Sequence, residues 1–215
     1  MEYPNLTEIE GRSKRYWTVD GIPEMVMGAV FIIWGAGLLV QNLAQNMVPK
    51  GSRLADLCGW IALTLMVVSG LSANPIINAL KSKYTFSRGG YVKFSDPAKS
   101  KLWITAIAAG LVAVVLSLLG ALAVRGRFDV NLIAPASGLI LAIGFLFNSK
   151  KPGMRHFLWF SIISLVMGIA LYPLKLGWNA LPWLLIGMGV PFIVSGFCRL
   201  RTYVRSVPIQ GGDES

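Results

Sequence analysis

Histidine occurs once in this 215-residue chain and cysteine twice, and charged side chains make up only 14% of it. Each scarcity excludes something. With His156 the only histidine, any Ser-His-Asp or Cys-His mechanism would have to run on that one side chain. No Walker lysine motif offers phosphate chemistry in its place. Cys58 and Cys198 fall near opposite ends of apolar stretches, most of a ~30 Å membrane apart, whereas a disulfide needs Cα atoms within about 7 Å. An internal bridge is therefore excluded, and no metal-ligand spacing appears. Soluble domains carry roughly a quarter charged residues, so a chain this poor in charge is built for lipid, and a soluble core is not expected.

What the chain does have is six long apolar spans, 22–46, 54–79, 102–124, 131–148, 156–173 and 180–198. Each is near the ~17 to 25 residues that cross a ~30 Å hydrocarbon layer. At that depth an open sheet or bare loop would leave backbone polar groups without partners, so every span is expected to be helical. The fold class read from this pattern is an all-α membrane protein, a six-transmembrane-helix bundle. A cytoplasmic segment 1–21 precedes the transmembrane domain 22–198, and a cytoplasmic tail 199–215 follows it. The first span reads as retained in the membrane, because it is long and lacks a small-residue cleavage site.

Acids are the other shortage, with 10 Asp and Glu against 20 Lys and Arg, for a net charge of +10. Even-numbered spans return the chain to its starting face, so the basic residues can be sorted by side. Fifteen fall on one face and five on the other. The positive-inside bias then places both termini in the cytoplasm, with the protein in the inner (plasma) membrane. Because the basic residues sit beside apolar spans, anionic lipid headgroups are the nearer partner, and nucleic acid is not expected. Trp103 and Trp159 on one side, and Trp60, Trp178 and Trp183 on the other, mark the aromatic belts.

The longest connection is 81–101. Its runs Tyr84 to Phe86 and Tyr91 to Phe94 flank Gly89 and Gly90, a pair suited to a tight hairpin turn. A small cytoplasmic β-hairpin is predicted there, leaning on headgroups or another chain because an isolated hairpin is marginal in water. Tyr84, Arg88, Tyr91 and Lys93 are its candidate contacts to lipid or a partner.

No catalytic residue stands out. Asp20 and Glu24, four apart at the start of the first span, are the acids closest to the membrane on that side. The plain reading is that they complement the helix N-terminus and pair with nearby bases. The sharper one is a cation, proton or amine site at the inner mouth. Gln41 and Asn74 are candidate ligand-binding residues if they line a shared cavity, which would suit a neutral polar solute. His156 could ligate a cofactor from one side, but its setting reads as an interfacial anchor, and no cofactor or metal is assigned. Trp34 falls mid-span, as a core or lipid contact. Small residues recur every fourth position in Thr105, Ala109, Ala113, Ser117 and Ala121, and in Ala134, Gly138 and Ala142, as close helix packing in lipid requires.

The leading functional reading is a non-enzymatic multi-pass protein presenting the 81–101 loop to a partner protein or to anionic lipid, alone or as a homo-oligomer. Its rival is a small transporter or channel for a cation, amine or neutral polar solute. An enzyme acting on lipid headgroups through His156 comes third.

Overall fold

The structure, a computed structural model, describes residues 20–47, 49, 52–85, 114–115, 117–150 and 154–206. Five helices organise them: α1 Ile22–Met47, α2 Arg53–Tyr84, α3 Ile133–Ser149, α4 Phe157–Leu171 and α5 Ala180–Ser206. Residues 114–115 and 117–124 are also helical. Four helical stretches are long and apolar enough to cross a membrane: Ile22–Met47, Asp56–Tyr84, Val130–Ser149 and Gly177–Ser206. They define a membrane-embedded helical bundle.

Among the described residues four of the predicted six spans are found. At about 1.5 Å per residue, the 15 residues of α4 cover only about 22 Å, less than the ~30 Å of hydrocarbon. The span 102–124 lies partly outside the described residues. The hairpin finds no support among the described residues. No strand occurs among the described residues, and Lys81 to Tyr84, which were to lead into it, form the last turn of α2. The helix runs on because Lys81 and Lys83 complement the negative end of its dipole. The Thr85 amide closes the last turn on the Lys81 carbonyl. Residues 86–101, with Arg88, Tyr91 and Lys93, lie outside the described residues.

Local chemistry sets the helix starts. Ser52 caps α2 by accepting the Leu54 N–H at 3.2 Å. Asp129 accepts from the Asn131 amide at 2.9 Å and caps the 3-10 turn Val130–Leu132 that leads into α3. Asp20 accepts from the Ile22 amide at 3.3 Å ahead of α1, with Pro23 in the first turn.

α1 is the hub, packed along α5 on one side and α2 on the other, while α4 pairs with α3 and touches α5. The α1 and α5 pair is antiparallel, and its contacts recur every seven residues. Gly21 faces Gly196, Gly28 faces Gly189, and Gly35 faces Pro182. A Cβ added at Gly28 would lie 2.7 Å from the Gly189 carbonyl oxygen, and one at Gly35 would lie 2.7 Å from that of Pro182. Such backbone contact supplies dispersion energy where lipid supplies little hydrophobic drive. Gly21 also has φ of +70°, which an L side chain rarely adopts. The small stripe on α3 does the same on the other side of the bundle. Gly138 meets Gly168 of α4, and the Ser164 hydroxyl donates to the Gly138 carbonyl at 3.0 Å.

Between α1, α3, α4 and α5 the interior is filled by Phe31, Phe145, Phe160 and Phe192, with Leu184, Leu185 and Met188. The Phe160 and Phe192 rings stack with centroids 3.9 Å apart. Trp34 is not a bare lipid contact. It lies between α1 and α2, and its indole N–H reaches the Met66 carbonyl at 3.1 Å and Ser69 Oγ at 3.0 Å.

Candidate functional site: two buried acids at the basic end

The start of α1, the ends of α2, α3 and α5, and the start of α4 meet at one end of the bundle. The two acids at the start of α1 organise that end, and each binds a different set of helices.

Asp20 is wholly buried, as are Lys81 and Thr85 of the α2 terminus. Its Oδ1 takes the Ile22 amide, while Oδ2 accepts from Lys81 Nζ at 3.0 Å and from Thr85 Oγ1 at 3.0 Å. Both carboxylate oxygens are therefore satisfied, and the charge is compensated. This node fixes the end of α2 to the start of α1.

Glu24, one turn further in and 4% exposed, turns the other way. Its Oε1 accepts from Arg199 Nη1 of α5 at 2.6 Å, and its Oε2 from Ser195 Oγ at 3.1 Å. His156, at the start of α4, places Nε2 only 2.7 Å from Oε1. A nitrogen and an oxygen that close share a proton, so His156 donates from Nε2 and its charge or dipole adds to that of Arg199. Arg199 Nη1 lies 3.1 Å from the same nitrogen, which brings the ends of α4 and α5 together. Beneath this quartet the His156 ring sits 4.8 Å from Phe157 and edge-on to Phe160 at 6.1 Å. The ionic layer thus rests on the aromatic interior.

Chemically this arrangement is a double clamp. Each acceptor oxygen of Asp20 and Glu24 already has a donor from the chain itself, so neither carboxylate is left as a free general base or an open cation ligand. Among the described residues no group of three His, Cys, Asp or Glu side chains is gathered.

The other sequence-derived candidates are scattered. Gln41 lies at the far end of α1, with its amide against Gly59 of α2. Asn74 is exposed on α2, fifteen residues or about 22 Å along the helix from Gly59. Tyr84 is 41% exposed at the end of α2, with Lys83 Nζ 5.6 Å from its ring centre. The partners of the two acids were not readable from the sequence, because Lys81, His156, Ser195 and Arg199 come from three other helices. A groove of about 360 Å³ opens beside Trp34, lined by Met66, Val67, Gly70 and Leu71. Its walls are apolar, as expected of a surface against acyl chains.

Comparisons with protein-family models, with curated proteins and with solved structures return no match. Functional statements therefore rest on these residues and their geometry.

Proposed function

We propose that this membrane-embedded helical bundle is a non-enzymatic protein that acts by contact, offering its basic end and the segment 81–101 to a partner protein or to anionic lipid. In this reading the basic end is cytoplasmic and the membrane is the inner (plasma) membrane. One observation carries it: the acids of the candidate site are saturated by the chain's own donors, above an interior filled with phenylalanine. Transport chemistry usually leaves ionisable groups or broken helices open to a path near the midplane. In the rival reading Glu24 would bind a cation or amine, but Arg199 already occupies that place. The third reading, headgroup chemistry by His156, must contend with the engagement of its Nε2 by Glu24.

Photo-crosslinking in native membranes from probes placed at Tyr84 and Tyr91 tests the proposal. Discrete protein or lipid adducts that vanish in the Arg88→Ala, Lys93→Ala double variant are expected. Identical adduct patterns in the variant, or no adducts at all, would sink the contact role of this segment. Reconstituted flux that Glu24→Gln abolishes would favour transport instead.

A further inference from the structure

The exposed positive charge at the basic end is not diluted by the described acids there. Asp20 and Glu24 are buried in ion pairs, whereas Lys83, Lys150, Arg155, Arg201 and Arg205 are exposed. At the far end the exposed Arg53, Arg125, Arg127 and Lys175 share the surface with exposed Asp56 and Asp129. Burial of two acids thus leaves one rim of the bundle purely positive among its described, exposed charges.

Helix geometry says where part of that charge sits. On α4 the exposed side chains Trp159, Ile162, Val166 and Ile169 follow one stripe, and exposed Arg155 lies in the turn just ahead of it, past the apolar part. On α5 the exposed Val190, Val194 and Phe197 form a stripe that continues into Arg201 and Arg205. The two stripes border the same seam. α4 meets α5 through Met167, which packs on Gly187, and through His156, which reaches Arg199. Arg205 follows Gly187 by five turns at 3.6 residues each, and so returns to the angular position that faces α4. Arg155 adjoins His156 and is exposed in the turn ahead of α4.

We propose that the seam between α4 and α5 seats an anionic phospholipid, with its acyl chains along Trp159, Val166 and Val194 and its phosphate held between Arg155 and the Arg201, Arg205 pair. Arginine suits this task because its planar donor fork matches phosphate oxygens. The exposed apolar stripe presents the chains, and the arginines lie at headgroup level directly beyond it. Arg155, Arg201 and Arg205 enter none of the ion pairs among the described residues, so their charge is available to a headgroup. A zwitterionic lipid brings its own amine to its phosphate, which favours the anionic class. The proposal does not depend on the role of residues 81–101.

The test uses the full chain reconstituted in vesicles of equal parts phosphatidylcholine and phosphatidylglycerol, with the lipids it retains counted by native mass spectrometry. The wild-type protein is expected to retain phosphatidylglycerol in preference. At about a fifth of the affinity left per arginine removed, Arg155→Gln with Arg201→Gln and Arg205→Gln should weaken that retention on the order of a hundredfold. Arg125→Gln with Arg127→Gln at the far end should leave it unchanged. Three results would overturn the proposal: no lipid preference in the wild type, undiminished retention in the triple variant, or equal loss in the far-end pair. The first needs no variant, so the test does not depend on how the substitutions fold.

Discussion

Replacing Glu24 by glutamine keeps the shape of the side chain and removes its charge, which isolates the electrostatic part of the clamp. Arg199 and His156 would then face each other at 3.1 Å with no anion between them. Removing one partner of a buried ion pair costs about 3 to 5 kcal/mol. Arg199 is 29% exposed and can swing its head toward water or headgroups, which lowers the expected cost to about 2 to 4 kcal/mol. For a chain of this length that corresponds to a fall in Tm of roughly 5 to 15 °C. Thermal unfolding in lipid nanodiscs, followed by circular dichroism, measures it. Glu24→Leu combined with Arg199→Leu strands neither charge and should recover more than half of the loss, since apolar pairs often replace buried ion pairs at little cost. A Glu24→Gln protein that melts within about 1 °C of wild type, against the fall expected from the buried-pair magnitude, would refute the clamp. So would a double variant that melts no higher than the single one.

The remaining expectations concern the helix contacts. Gly28→Ala places a Cβ 2.7 Å from the Gly189 carbonyl oxygen and should destabilise by about 1 to 3 kcal/mol through forced separation of α1 and α5. Gly120→Ala meets nothing within 4 Å and should be neutral or stabilising by up to about 1 kcal/mol, so equal melting of the two variants would contradict the packing account. Trp34→Phe removes the donor shared by Met66 and Ser69, for an expected loss of about 0.5 to 1.5 kcal/mol in the same melt. Asp20→Asn should loosen the end of α2 selectively, read as faster amide hydrogen exchange at residues 80–85 with little change in α5; uniform change across the bundle would count against a local node.

Hydropathy made the apolar parts of α1, α2, α3 and α5 legible, because lipid forces backbone pairing within each segment. It could not set where the helices stop. α2 and α5 run to Tyr84 and Ser206, several residues past the apolar stretches, since nothing at the membrane edge breaks a helix and basic residues suit its C-terminus. Local turn chemistry alone puts Lys81 in a loop and Tyr84 in a hairpin strand, while a long-range partner, Asp20, holds that stretch in the helix. The acids themselves stood out as Asp20 and Glu24. Their partners did not, because His156 and Arg199 become neighbours of Glu24 only through packing of helices far apart in sequence. The α1 and α5 contact did leave a signal: Gly21, Gly28 and Gly35 recur at seven, as do Pro182, Gly189 and Gly196. A search for small residues every fourth position passes over it.

An interior closed beneath the Glu24 quartet is what the proposed contact role requires. Met188 is wholly buried there, in the core cluster that also holds Phe31 and Phe192. In a background with Cys58 and Cys198 replaced by serine, a cysteine at Met188 can be challenged from each side of the membrane with an impermeant thiol reagent, in right-side-out and inside-out vesicles. No labelling from either side is the predicted result, with a cysteine at exposed Arg201 labelling from one side as the positive control. Labelling at position 188 from either side would mean that water reaches the centre of the bundle, and the closed-interior account would fail.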